Sequence, residues 1–224
     1  MTPGYGTAAL GRSLTRRERV RLLEAAYDAG IRYFDTAPLY GAGAAEEALG
    51  RFLRGGKDVA VATKVGIVPP GLAGLALRRP AIGGRFTPAD IRTQLEGSLR
   101  RLRLERVDVV LLHEVDPADA AAALDTLDLL RDEGKLVDAG IATGAAQAAA
   151  IVATRVPDVV QLAAGAAVDA RGARLVLHSA LAGKVGTTPA QELLRAVAAA
   201  HPDAVVLVGS RNAEHVREAA AALL

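Results

Sequence analysis

The sequence predicts an α/β protein folded as a closed (β/α)8 barrel, and three observations carry that prediction. Short β-rich segments alternate with amphipathic helical ones from end to end, the pattern of repeated parallel βαβ units. Eight such strand segments can be counted, a number that suits a closed barrel better than an open sheet. No linker or break in composition divides the 224 residues, a length that one α/β barrel domain spanning 1–224 can fill.

In chain order, strands are expected over residues 4–9, 32–36, 59–63, 107–112, 137–142, 159–163, 174–178 and 204–208. The first helix is the clearest: TRRERVRLLEAAYDAG sets apolar residues at i, i+3 and i+4, with Thr15 to cap it and Gly30 to stop it. Further helices are expected over 45–53, 88–102, 117–131, 145–153, 189–201 and 213–223. The connection GAAVDARGA after the sixth strand is too short for a good helix, so the sixth outer helix should be lost or reduced to a turn. The barrel is expected to be compact, with no long C-terminal loop. One connection breaks the short-loop rule. Residues 66–87 (GIVPPGLAGLALRRPAIGGRFT) are rich in Gly and Pro, show neither period, and leave the third strand at the end where barrel active sites sit, which reads as a mobile substrate loop.

Composition narrows the class. Half the residues are apolar, so a core can form without a metal or disulfide staple, and no metal site is expected. Cysteine is absent, which removes thiol nucleophiles and thiolate ligands and fits a reducing compartment. No signal peptide is recognisable, and no run approaches the roughly 18 apolar residues of a membrane span, so a cytoplasmic monomer is expected. The arginine clusters at Arg16, Arg17 and Arg19 and at Arg100, Arg101 and Arg103 alternate with leucines and glutamates. With aromatics at 3% and a net charge of +2, they read as solvated helix faces rather than a nucleic-acid surface.

The chemistry gathers at strand ends. Asp35 ends RYFDT, Lys64 ends VAVATK and His113 ends VDVVLLH, so three consecutive strands deliver them to one rim. Tyr40 lies on the loop between the first two. Each has a bland reading: Asp35 as a turn cap, Tyr40 as a packed loop aromatic, Lys64 as a snorkelling strand-end cation, His113 as a bonded rim histidine. Taken together on adjacent strand ends, they read as a site. A tyrosine that titrates near ~10 donates protons poorly at neutral pH. A nearby ammonium should stabilise its phenolate and lower that pKa, with Asp35 holding Lys64 charged. His113 is placed to hydrogen-bond a substrate oxygen from the other side. Such a set supplies a general acid to a developing alkoxide, as carbonyl reduction requires.

These residues resemble the aldo-keto reductase family. GIRYFDTAPLYGAGAAEEALGRFL is similar to its most recognisable segment, ATKVG to its lysine strand, and ADIRTQLEGSLRRLRLERVDVVLLHEVD to the helix and strand before its histidine. GKLVDAGIATG, VVQL and VLVGSRNAEHVREAAAAL resemble the later cofactor-side segments, so the likeness spans nearly the whole chain in order. GTAALG with FDTAPLYG resembles the sugar- and pyridoxal-type dehydrogenase branch.

The resemblance implies a TIM barrel and hydride transfer between NADP(H) and an aldehyde, ketone or alcohol, NAD(H) being the alternative cofactor. It implies Tyr40 as proton donor, Lys64 and Asp35 as its tuning pair, and His113 as the orienting residue. Gly6 and Thr7 match the family's first-strand glycine and its neighbour, and Gln161 matches the glutamine that holds the carboxamide. Gly209, Ser210 and Arg211 match the turn before the last helix, where backbone amides and an arginine suit a 2′-phosphate. Glu218 matches an adenine-side residue. The chain departs from the family at several cofactor positions. Ala142 and Thr143 stand where Ser-Asn is common, His178 followed by Ser179 stands where a tyrosine usually stacks on the nicotinamide, and Ala219 replaces an asparagine.

A second reading follows from those departures: a non-catalytic nicotinamide-binding or redox-sensing subunit. A third, with Lys64 as a Schiff-base nucleophile, is disfavoured because Asp35 should keep Lys64 protonated. Substrate identity is not encoded in any recognisable motif. Leu39, Ile67, Val68 and Phe86 read either as an apolar substrate lining or as core.

Overall fold

The computed structural model describes residues 2–11, 13–69, 84–181 and 188–224. The strands β1 (Thr2–Gly6), β2 (Tyr33–Asp35), β3 (Ala60–Val65), β4 (Val107–His113), β5 (Leu136–Ala142), β6 (Val159–Ala163), β7 (Arg174–His178) and β8 (Val205–Val208) pair in parallel, each with the next in sequence. β8 pairs with β1, so the sheet closes into the expected (β/α)8 barrel. Among the described residues seven α-helices surround it: α1 (Arg16–Asp28), α2 (Ala44–Phe52), α3 (Pro88–Leu102), α4 (Pro117–Asp132), α5 (Ala145–Thr154), α6 (Ala190–Ala200) and α7 (Ala213–Leu223). None is long and apolar enough to cross a membrane.

Local chemistry sets the helix ends. Thr15 and Glu18 form a reciprocal capping box at the start of α1. At its other end Gly30, at φ 90°, donates to the Tyr27 carbonyl while Ile31 donates to Ala26, a Schellman closure that needs a residue tolerant of left-handed backbone. Thr87 caps α3 ahead of Pro88, and Asn212 caps α7 through the Glu214 amide.

The barrel interior explains where the site lies. Tyr33, Ala62, Leu111, Val159 and Val176 belong to one buried cluster inside the barrel. A second, larger cluster lies between the strands and the helices. Side chains alternate faces along a strand, so the residue two positions further on points the same way. The next inward positions toward the C-terminal ends are therefore Asp35, Lys64, His113, Gln161 and His178. An apolar plug floors the mouth, and the polar residues form the ring above it.

One expectation needs adjusting. The first strand ends at Gly6 rather than at residue 9, because Thr7–Gly11 wind into a 3-10 turn. Ala8 and Ala9 have little strand preference, and the turn seats Gly11 against the Tyr40 loop so closely that a Cβ there would lie 2.6 Å from the Gly41 nitrogen. The connection between β6 and β7 contains turns and no helix, as its length implied. Of the proposed substrate loop, residues 70–83 lie outside the described residues, but its two ends are clipped together. The Arg85 amide donates to the Gly66 carbonyl, and Gln94 accepts from the Gly66 amide at 2.8 Å while donating to the Arg85 carbonyl at 3.0 Å.

Candidate active site

A cavity of about 880 Å3 opens at the C-terminal mouth of the barrel. Asp35, Tyr40, Lys64 and His113 line it together, so the four residues drawn from separate segments do meet. Lys64 and Asp35 form a salt bridge whose side chains are 2% and 3% exposed, buried deeply enough that each needs the other. The Lys64 Nζ donates to Asp35 Oδ1 at 2.6 Å, to Oδ2 at 2.7 Å and to the Thr36 carbonyl at 3.1 Å. It also lies 5.3 Å from the centroid of the Tyr40 ring.

Burial works against the Lys64 charge, but Asp35 and Tyr40 overcome it and hold the ammonium above the ordinary lysine range. The phenol of Tyr40 departs from the sequence expectation. Lys64 does pull its pKa down, yet burial together with the Asp35 charge outweighs that pull, and the net shift is upward. The ammonium offsets a burial penalty instead of creating an acidic tyrosine. At His113, burial first, then the Lys64 charge and His178, push the imidazole down to about 4. A neutral imidazole keeps one donor and one acceptor nitrogen, which suits it to hydrogen-bond a substrate oxygen without adding charge.

Gln161 sits in the same cluster. Its Nε2 donates to Asp35 Oδ2 at 2.8 Å across the barrel, so the residue matched to a carboxamide contact is tied to the ion pair. The spacing of 126 residues left no sequence signal for this bond.

The other half of the mouth is built differently. Gly6, Thr143, Gln161, His178, Ser179, Gly209, Ser210 and Glu218 all line the cavity, which runs from the ion pair to the start of α7. The Thr143 hydroxyl is buried without a hydrogen-bond partner among the described residues. His178 Nδ1 is hydrogen-bonded to Ser179 Oγ at 2.8 Å, and Ser179 itself takes a left-handed φ of 58°. Gly209 lacks the Cβ that would lie 3.1 Å from the Gly6 carbonyl, so β1 and the turn after β8 approach closely there. Tyr5, beneath that turn, donates to the Ser210 carbonyl at 2.8 Å. Two matched residues stay outside the lining: Thr7 is wholly buried behind Gly6, and Arg211 is exposed beside the opening.

Of the lining and core readings of the apolar residues near the mouth, the lining one does not hold. Leu39, Ile67, Val68 and Phe86 do not line the cavity, and Phe86 packs into the core on top of Gly66, which has φ 111°. Ala8, Ala9, Leu181, Leu194 and Leu207 line it instead. Sequence reasoning also passed over Glu114, which follows His113 at φ 54° and reaches the cavity.

The aldo/keto reductase family model matches residues 4–166 of this chain. A D-threo-aldose 1-dehydrogenase from Pseudomonas sp is 38% identical over 162 residues, covering 62% of this chain and 48% of that protein. The chain spans about half the length of the curated relatives it matches. Among solved structures, an aldo-keto reductase from Klebsiella pneumoniae in complex with NADPH superposes with a TM-score of 0.77 at 25% identity, covering 99% of this chain and 85% of that one. The holo form of a Bacillus halodurans aldo-keto reductase gives a TM-score of 0.82 at 20% identity over 99% of this chain and 86% of that one, a likeness of fold. This chain belongs to the aldo/keto reductase family.

Proposed function

We propose that this chain, as one barrel domain of residues 1–224, is a cytoplasmic, monomeric oxidoreductase that transfers a hydride between NADP(H) and a small aldehyde, ketone or alcohol. The observation that carries the reading is the buried Lys64–Asp35 pair beneath Tyr40 at the mouth of the cavity, with neutral His113 beside it. The NADPH complex of the Klebsiella pneumoniae relative supports the choice of cofactor.

The residues fit such a cofactor. The unpartnered Thr143 hydroxyl is a polar group waiting for a partner on the cavity wall. Gly6 and Gly209 leave room where side chains would intrude, and the Ser210 turn leads into the N-terminus of α7, which favours anionic groups. Thr143, Ser179, Ser210 and Glu218 would hold the cofactor, with Arg211 reaching it from the rim. The bound nicotinamide supplies the hydride. Tyr40 donates a proton to the carbonyl oxygen as negative charge develops there, and takes it back in the oxidation direction. Lys64, held by Asp35, stabilises the phenolate left behind. His113 hydrogen-bonds the same oxygen and orients the carbonyl.

Replacing Tyr40 with Phe tests the assignment: turnover across an aldehyde panel should vanish while NADPH binding persists. Retained turnover would overturn it. Gln161 supports a second reading. Its amide is committed to Asp35, which leaves fewer free groups for a carboxamide, as a nicotinamide-binding or redox-sensing subunit could tolerate. That reading expects cofactor binding with no loss of reduced-nicotinamide absorbance on any small carbonyl.

A further inference from the structure

Tyr40 and Lys64 come from different segments, a loop and a strand, yet a general acid and its tuning cation must keep a fixed separation. The structure contains a closed circuit that links them. From Tyr40 the chain passes directly into α2, with the Ala45 amide donating to the Tyr40 carbonyl at 3.2 Å and the Ala44 amide to the Gly41 carbonyl at 3.2 Å. One turn into α2 stands Glu46, which is wholly buried. Its Oε1 accepts from Thr63 Oγ1 at 2.7 Å, and its Oε2 accepts from Arg101 Nε at 2.6 Å. Thr63 precedes Lys64 on β3. Its side chain points outward to the helices while that of Lys64 points into the mouth.

A carboxylate at zero exposure is an expensive way to fill space, and an apolar residue of similar size would pack there at lower cost. What the carboxylate adds is direction. We propose that Glu46 is a positioning residue, and that its bonds to Thr63 and Arg101 set the register of the Tyr40 loop against the Lys64 strand. On the loop's other side, Gly11 and Gly41 pack backbone to backbone, where a Cβ on Gly41 would meet the Gly11 Cα at 2.9 Å. The loop is thus gripped on both flanks. Arg101 supplies the counter-charge from α3 and keeps 30% exposure, so the circuit is anchored to the outer helix layer.

The inference rests on the role proposed for Tyr40, and its test separates the two. Thr63→Val removes one hydroxyl on the face away from the cavity. It should lower kcat roughly tenfold to a hundredfold, with KM for the carbonyl within about twofold, the pattern of a misplaced group and not a lost binding contact. In the same variant the Tyr40 phenol, followed by tyrosine 13Cζ NMR and assigned by its absence in Tyr40→Phe, should titrate at higher pH because Lys64 acts on it less. Thr63→Ser should restore both properties. Unchanged kcat and titration in Thr63→Val, or equal losses in Thr63→Ser, would overturn the positioning role. Should Thr63→Val not fold, Arg101→Met at its partly exposed site replaces it, with the same two shifts expected and unchanged values overturning the proposal. A wild-type chain without turnover would sink the proposed function, yet the titration would still decide the role of Glu46.

Discussion

The two halves of the barrel mouth are organised on opposite principles. On the β2–β4 side the charged groups at the centre are buried and engaged: Lys64 with Asp35 and Thr36, Asp35 also with Gln161, and behind them Glu46 with Thr63 and Arg101. On the β5–β8 side the lining is small or loosely held among the described residues, with a Thr143 hydroxyl that has no partner there, a histidine hydrogen-bonded to its neighbouring serine, and an exposed Arg211. On the function proposed above, the first half is preorganised for proton transfer, where displacement of the acid by an ångström is costly. The second would serve as the cofactor's cradle. Changes on the two sides should therefore differ in size and in kind.

The largest effect is expected at the ion pair. Lys64→Met strands Asp35 as an uncompensated buried charge, which should cost about 3–5 kcal/mol of stability. Activity should fall roughly a thousandfold. Urea unfolding and steady-state kinetics measure the two losses. The pair also fixes an alkaline limit. Because the Lys64 pKa is raised in the folded state, its contribution is complete below the unfolded value of ~10.4 and is lost as pH rises through the folded value. A Lys64→Met, Asp35→Asn double variant should lack that part of the alkaline transition. If it keeps the same transition, the pair is not the buried hub described above.

His113 gives the next effect, with the opposite sign in pH. Its folded pKa, near 4, lies below the ~6.5 of an unfolded histidine, so between these values the unfolded chain binds more protons. Stability should fall as pH drops through that window, by roughly 3 kcal/mol from this group, and be indifferent to it above pH 7. Denaturant unfolding of wild type and His113→Gln from pH 7 to 4 isolates the contribution as the difference between the two curves. Parallel curves would mean that His113 is not held neutral by its surroundings. The same neutrality means that kcat/KM should show no His113 inflection between pH 5 and 8.

Much of this contrast was legible in the sequence, though unevenly. The strand-end positions of Asp35, Lys64 and His113 followed from apolar runs ending in polar residues, and the missing outer helix followed from the length of GAAVDARGA. The balance of charges did not follow. Whether Lys64 makes Tyr40 acidic depends on how deeply the phenol is buried, a property of the closed mouth and not of spacing. The Gln161–Asp35 bond crosses the barrel between strands that are not neighbours. The role of Glu46 was not singled out in AAEEAL. A signal did exist, since it lies three and four residues before Leu49 and Gly50, on the buried face of α2, whereas Glu47 is exposed. Leu39, Ile67, Val68 and Phe86 were open in the sequence between lining and core, and the structure keeps all four off the cavity lining, with Phe86 in the core.

The cradle side should respond more gently. Arg211 stands exposed at the rim, where the proposed function has it reach a 2′-phosphate. Its replacement by Ala should weaken NADPH binding about tenfold, some ~1.4 kcal/mol, while leaving NADH within twofold. Equal losses for both cofactors would place Arg211 on the shared part of the dinucleotide.

The smallest effect is expected beneath the Ser210 turn. Tyr5 is wholly buried, its phenol is raised well above the usual tyrosine range by burial, and it donates its proton to the Ser210 carbonyl at 2.8 Å. Tyr5→Phe keeps the ring and its edge contact with Phe34, so packing is preserved and only the hydrogen bond is lost. The stability cost should be about 1 kcal/mol, the usual net value of such a bond. The functional reading lies in which constant moves. If the turn is a cofactor cradle held from below, Kd for NADPH should rise a few-fold by fluorescence titration while kcat at saturation stays constant, because the ion pair on the far side of the mouth is untouched. A fall in kcat with Kd unchanged would show that the two halves are mechanically coupled, and the division between preorganised and ligand-shaped sides would have to be abandoned.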